Sequence, residues 1–267
     1  KNIKQKLSLE EKKEKIKEFR PIDDVFFEVL ANKPVCQEML RTILEDEELI
    51  VQDVITQNSE KNLYGRSVRL DALCTLGNGE KCNIEIQRSD NDDHLRRVRY
   101  NASSITLRNS QIGTKFDKIP EVYVVFISEF DVFKMGKTVY HVDNVIRETK
   151  KIVQDGLHRI FVNTEIDDGT KTSRLMSHFT EKTVEDVEFP ELSARMHELK
   201  EEEGGITVMS DVMEKYEKIA AEEATQKTTQ KAIRNMIKFG VSKEKILSEY
   251  TEEEYNKAME AENVLMV

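Results

Sequence analysis

Asp71, Glu85 and Gln87 stand where two carboxylates and an amide can converge. Two strand-like runs, 66–76 (RSVRLDALCTL) and 82–88 (CNIEIQR), flank Gly77-Asn78-Gly79, a strong turn signal. A hairpin centred on Asn78 sets Asp71 opposite Glu85, Arg69 opposite Gln87 and Cys74 opposite Cys82. Side chains alternate along a strand, so Glu85 and Gln87 share one face and Ile84 and Ile86 the other. Opposed carboxylates would have Cβ atoms roughly 5 Å apart, where like charges repel unless a proton or a cation lies between them. Carboxylate oxygens suit Mg²⁺ or Mn²⁺, and no His or Cys cluster suggests zinc. A divalent cation at this point can polarise a phosphate and lower the pKa of a bound water for in-line attack. Gln87 is no strong base, but its amide can orient that water or a phosphate oxygen.

These residues need a framework. Residues 8–19 read as a charged helix with Leu9, Ile16 and Phe19 at helical spacing, broken by Pro21. A second helix opens near Asp23 with Val25, Phe26, Val29 and Leu30 on its buried side. A third follows Pro34, carrying Val35, Met39, Ile43 and Leu44, and ends at the acidic stretch Glu45 to Glu48. After the hairpin, residues 94–110 return to a helical period, with Leu95, Val98, Ala102 and Ile105 as the apolar stripe. Residues 121–128 (EVYVVFIS) read as a buried central strand, and 138–142 and 158–163 as shorter ones. Helices, hairpin, helix and buried strand in this order predict a mixed α/β fold.

The chain thus presents Asp23-Asp24-Val25-Phe26-Phe27-Glu28 on a helix, then Asp71, a Gly-containing hairpin and Glu85-Ile86-Gln87. Arg97-Val98-Arg99-Tyr100 follows on the next helix. In this combination it resembles the PD-(D/E)XK nuclease superfamily, in particular its branch of recombination-promoting nucleases and PD-(D/E)XK family transposases. The resemblance covers about residues 19–180 and includes the strand leading to Phe130-Asp131. It implies a restriction-endonuclease-like mixed sheet flanked by helices, and Mg²⁺-dependent hydrolysis of DNA phosphodiesters with Asp71 and Glu85 as metal ligands. Asp24 or Glu28 matches the first-helix acid that often completes such a site. The two are four residues apart and can share a helix face, although a helix cap and a solvated face are the alternative. Gln87 stands where many superfamily members carry Lys, a departure that also occurs in this branch. Nothing in the sequence independently indicates strand transfer.

Arg97 and Tyr100 lie three apart and point at least partly away from the apolar stripe. With Arg96, Arg99 and Arg108 they suit phosphate contacts that position DNA without reading its sequence. The alternative is a solvated face paired with Asp92 and Asp93. The overall charge of -10 does not decide between them, because residues 181–267 carry 12 basic and 21 acidic side chains while residues 1–180 carry 29 and 30. Residues 94–118 hold six Lys or Arg against one Asp, a local basic stripe.

Beyond Phe189-Pro190 the chain turns polar and Glu- and Lys-rich, with Gly204-Gly205 as punctuation. This predicts a nuclease-like domain over 1–190 and an acidic helical extension over 191–267. Residues 209–239 read as a long interacting helix. Residues 231–250 can form two short helices around Phe239-Gly240-Val241-Ser242, like a helix-turn-helix, but Glu244 and Glu249 offset Lys243 and Lys245. A protein-interaction or dimerisation pair is therefore expected there rather than a DNA reader. Cys36, Cys74 and Cys82, odd in number and without CxxC spacing, read as buried reduced thiols of a cytoplasmic protein. The charged first residues, Lys1 to Phe19, read as neither signal peptide nor anchor, and no apolar run nears the ~18 residues of a membrane span. DNA is the expected partner. A homodimer would supply the two sites that double-strand cleavage needs. The rival reading is a catalytically weak nucleic-acid-binding or interaction module on the same fold.

Overall fold

A computed structural model describes residues 8–61, 67–110, 112–113 and 115–263. The chain opens with α1 (Leu9–Glu18), whose Ser8 and Glu11 form a reciprocal capping box. Next come α2 (Asp24–Leu30) and α3 (Lys33–Ile43), the latter capped by Asn32 with Pro34 in its first turn. On α2, Phe26, Phe27 and Leu30 are the buried residues, while Val25 and Val29 are half-buried. The expected set therefore omitted Phe27.

The strands β1 (Val51–Lys61), β2 (Ser67–Leu76) and β3 (Lys81–Gln87) form an antiparallel meander. β1 escaped the sequence reading, because Gln52, Asp53, Thr56 and Gln57 break its apolar pattern and Ile55 is half exposed on a sheet edge. The β2–β3 ladder runs Thr75↔Lys81, Cys74↔Cys82, Leu73↔Asn83 and Ala72↔Ile84, the register a turn centred on Asn78 requires. It stops there. Arg69 does not face Gln87 across a ladder; it pairs with Ser59 of β1.

From β3 the chain enters α4 (His94–Arg108), capped by Asp93, whose side chain accepts from Arg96 N at 3.0 Å. The buried face of α4 is His94, Val98, Asn101, Ala102 and Ile105. Val98, Ala102 and Ile105 are buried as expected, but Leu95 is 48% exposed, and the stripe begins instead at His94, packed on Phe126 and Phe130. Val98 and Ile105 each contribute about 1.5–3 kcal/mol by leaving water, which fixes α4 over Leu70, Val124, Phe126 and Phe161. A 3-10 turn at Phe116–Lys118 leads to β4 (Val122–Ser128), the sheet's central strand.

The short strands β5 (Val139–Val142), β6 (Asn144–Val145) and β7 (Ile152–Val153) precede β8 (Leu157–Asn163). The main sheet has the order β1-β2-β3-β4-β8-β5, with β6 and β7 forming a separate ribbon. β3, β4 and β8 are mutually parallel and β5 returns antiparallel to β8. The parallel β3–β4 pair requires a crossover, and α4 supplies it. This is a mixed α/β sheet flanked by helices.

The helices α5 (Lys171–His178) and α6 (Pro190–Glu201) follow, and α6 packs against α1, α2 and α3. The first compact unit therefore continues past the expected boundary at residue 190 and extends to Ser210. Within it the long helix α7 (Glu203–Lys238) begins, with a glycine in its first turn that has no alternative: a Cβ on Gly205 would lie 2.0 Å from the Glu198 carbonyl oxygen. The second unit, from Asp211 onward, contains the rest of α7, α8 (Lys243–Leu247) and α9 (Glu252–Asn263). Ile233, Ile246 and Ala258 form its own small core. The long helix matches the expected one. Helices do flank Phe239-Gly240-Val241-Ser242, with Ser242 capping α8, but the first of them is the end of the long α7 and the second has only five residues. No helix among the described residues is long and apolar enough to cross a membrane. Cys36, Cys74 and Cys82 are free and buried. A bond to the Cys74 thiol and burial push Cys36 well up, and burial does the same to Cys82.

Candidate active site

Where the β2–β3 ladder ends, a side chain takes over from the backbone: the Asp71 Oδ2 accepts the Ile86 N–H at 3.0 Å. The ladder ends at Ala72↔Ile84, one step short of Asp71 and Glu85, and the two carboxyls lie close enough for their charges to interact. Asp71 is 9% exposed and Glu85 not at all. Burial pushes the Asp71 carboxyl well above the ordinary carboxylate range, and the charges of Glu85 and Asp24 add to this; Ile86 N–H and Arg97 oppose it. Burial also raises Glu85, against the stabilising bonds from Asn83 and Arg97. The strand positions thus force two acids together in a place that penalises their charge.

Glu85 is clasped from two sides. Asn83, two residues back on the same strand face, donates its Nδ2 to Oε1 at 2.8 Å. Arg97, one turn into α4, donates Nη2 to Oε2 at 3.2 Å and Nη1 to the Gln87 Oε1 at 2.8 Å. Gln87 in turn donates Nε2 to the Ser89 carbonyl at 2.9 Å. Its amide is held with the oxygen toward Arg97, so it braces the guanidinium rather than facing the cleft with a free end.

Asp71, Gln87 and Arg97 line an open cleft of about 1100 Å³, together with Asp24, Lys15, Arg20, Arg88 and Lys182. An ion-pair lattice sets α2 at its lip. Asp23 accepts from Arg20 N at 2.7 Å and pairs with Arg88 at 2.8 Å, and Arg20 reaches Glu129 at 3.0 Å. This fixes the neighbouring Asp24, which is exposed toward the cleft. Glu28, one turn on, is half-buried and does not line it.

The predicted basic residues divide. Arg97 enters the cleft. Arg96 is exposed and pairs with Asp93 at 3.2 Å, the solvated-face alternative. Arg99 and Arg108 are exposed and outside the cleft lining, and Tyr100 packs against the core under α4. The sequence reading missed Asn83, Ser89, Lys15, Arg20, Arg88 and Lys182. Asn83 alone carried a signal, since i and i−2 on a strand share a face.

Among the described residues no group of three or more His, Cys, Asp or Glu is gathered ready for a metal ion. The donor chemistry nevertheless fits a hard divalent cation: Asp71 and Glu85 are oxygen ligands whose mutual repulsion a cation would relieve, and Asp24 faces the same cleft. Superfamily nucleases usually use such ions. No curated protein and no solved structure matches the chain. The model of one family, described as PD-(D/E)XK nuclease family transposase, matches residues 23–247. That span takes in α2, the hairpin with Asp71 and Glu85, and α4 with Arg97, and on it the chain belongs to the PD-(D/E)XK nuclease family transposases.

Proposed function

We propose that the chain is a metal-dependent DNA endonuclease that hydrolyses phosphodiester bonds, associated with recombination or mobile elements. The observation that carries this reading is the buried, mutually repelling pair Asp71 and Glu85 at an open cleft. Asp71, Glu85 and Asp24 would hold Mg²⁺, or Mn²⁺ in its place. When bound, such an ion supplies neutralising charge to a phosphate and acidifies a water. Asp71 is kept in orientation by its bond from Ile86 N–H, and Glu85 by Asn83. Gln87 positions Arg97. Lys15, Arg20, Arg88 and Lys182 on the cleft walls would meet DNA phosphates. Cutting both strands requires two such sites, which a homodimer would provide.

The test is plasmid cleavage at low salt with Mg²⁺, Mn²⁺ or EDTA, wild type beside Glu85→Ala. Nicking or linearisation that needs the metal and is lost in the variant, by at least about 100-fold, supports the reading. Intact plasmid in every lane, with the wild type folded and DNA-bound, favours a binding module on this fold instead.

A further inference from the structure

We propose that Arg97 is an exchangeable counter-ion of Glu85, which holds the oxygen a divalent cation needs and turns out into the cleft when the cation binds. This rests on the metal-dependent reading above. Both Glu85 oxygens are already engaged, Oε1 by Asn83 and Oε2 by Arg97. A carboxylate oxygen can accept twice, so a cation need not displace the neutral Asn83 amide, but the positive charge of Arg97 on Oε2 repels a cation at Glu85 and is the partner it drives off.

Burial points the same way. Asn83 has no exposed surface and sits within β3, between the ladder to β2 and the ladder to β4. The Arg97 side chain is 33% exposed and lines the cleft. Its 3.2 Å contact to Glu85 is also long for a charge-assisted bond, which normally spans about 2.7–2.9 Å. Departure does not require α4 to move. The Asp93 cap and the buried Val98 hold the helix at both neighbours of Arg97. The bond from Nη1 to Gln87 gives the guanidinium a pivot beside Glu85. A guanidinium released there faces the cleft that Arg20, Arg88, Lys15 and Lys182 also line. Its new partner would be an anionic oxygen of the substrate, so loading of the cation and grip on a phosphate become linked.

The linkage is measured on the full chain with Mn²⁺ alone, by titration calorimetry and by melting in EDTA or saturating Mn²⁺. Arg97→Ala should melt below wild type in EDTA, converge with it in Mn²⁺, and bind Mn²⁺ more tightly by about 5-fold or more. Arg97→Lys keeps the charge but loses the fork, and should change in the same direction by less; if the alanine variant does not fold, the lysine variant decides. Equal melting deficits in EDTA and in Mn²⁺, or weaker Mn²⁺ binding by either variant, would overturn the exchange and leave the nuclease reading standing. Absence of any Mn²⁺ heat or melting shift in the wild type would remove the metal site itself, and the exchange with it. Glu85→Gln identifies the site, because it should abolish both signals.

Discussion

Asp71 is the residue where fold and chemistry pull apart. Its Oδ2 closes the end of a ladder through the Ile86 N–H, yet its charge lies beside Glu85 in a buried place. An asparagine there keeps an oxygen for Ile86 and removes the like charge that Asp71 sets beside Glu85. Asp71→Asn is therefore expected to stabilise the metal-free protein by on the order of 1 kcal/mol, the usual gain when a functional strain is removed. Melting in EDTA checks this, and a fall in melting temperature would show that the pair is not strained. In Mn²⁺ the order should reverse, since only the wild type gains a bound ion. At this scale the sequence was informative in proportion to how local the cause was. A Gly-Asn-Gly turn sets the hairpin register, and the ladder ends one step short of Asp71 and Glu85, close enough for their charges to interact. The partners of Glu85 and Gln87 were harder. Whether Asn83 faces Glu85 or Ser89 braces Gln87 depends on rotamers that a period of two does not specify.

Between elements, the wall of the cleft depends on the loop from α5 to α6, which carries Thr180 and Lys182. His178 clasps it, with Nδ1 2.8 Å from Glu181 and Nε2 2.9 Å from Asp186, its ring edge-on to Phe189. Burial opposes protonation of His178, but the two carboxylates outweigh it and its pKa rises above 6.5. Asp186 is lowered, first by the Glu188 N–H and then by His178, consistent with a charged clasp. A histidine raised in the folded state adds stability that is full below its unfolded pKa near 6.5 and is lost as pH climbs through the folded value. Wild type minus His178→Gln should therefore show a stability difference at pH 6 that shrinks by pH 8, of about 1 kcal/mol or less for such a partly solvated pair. A difference that is constant with pH would mean the histidine acts only by packing. Elements with a strong apolar period, such as α3 and β4, were legible from the sequence. β1 was not, because an edge strand buries too little to leave an alternating pattern.

For the whole chain, the division of charge and the division of structure do not coincide. Residues 211–267 carry twelve acidic and nine basic side chains, so six of the nine excess negative charges of residues 181–267 lie in residues 181–210, within the first unit. The second unit is better described by its own small core than by its charge. Ile246, wholly buried from a five-residue helix, joins Ile233 of α7 and Ala258 of α9. So short a helix has little stability of its own and depends on this contact. Ile246→Ala should cost the second unit about 2–4 kcal/mol, enough to open α8 and α9 in so small a core. Each unit has separate buried contacts, so hydrogen exchange should accelerate in α8 and α9 while β3 and β4 keep their protection. The Mn²⁺-dependent gain in melting temperature expected from the proposed site at Asp71 and Glu85 should persist. Loss of that gain in Ile246→Ala would instead mean that the helical unit supports the metal site, and the two would have to be treated as one cooperative structure.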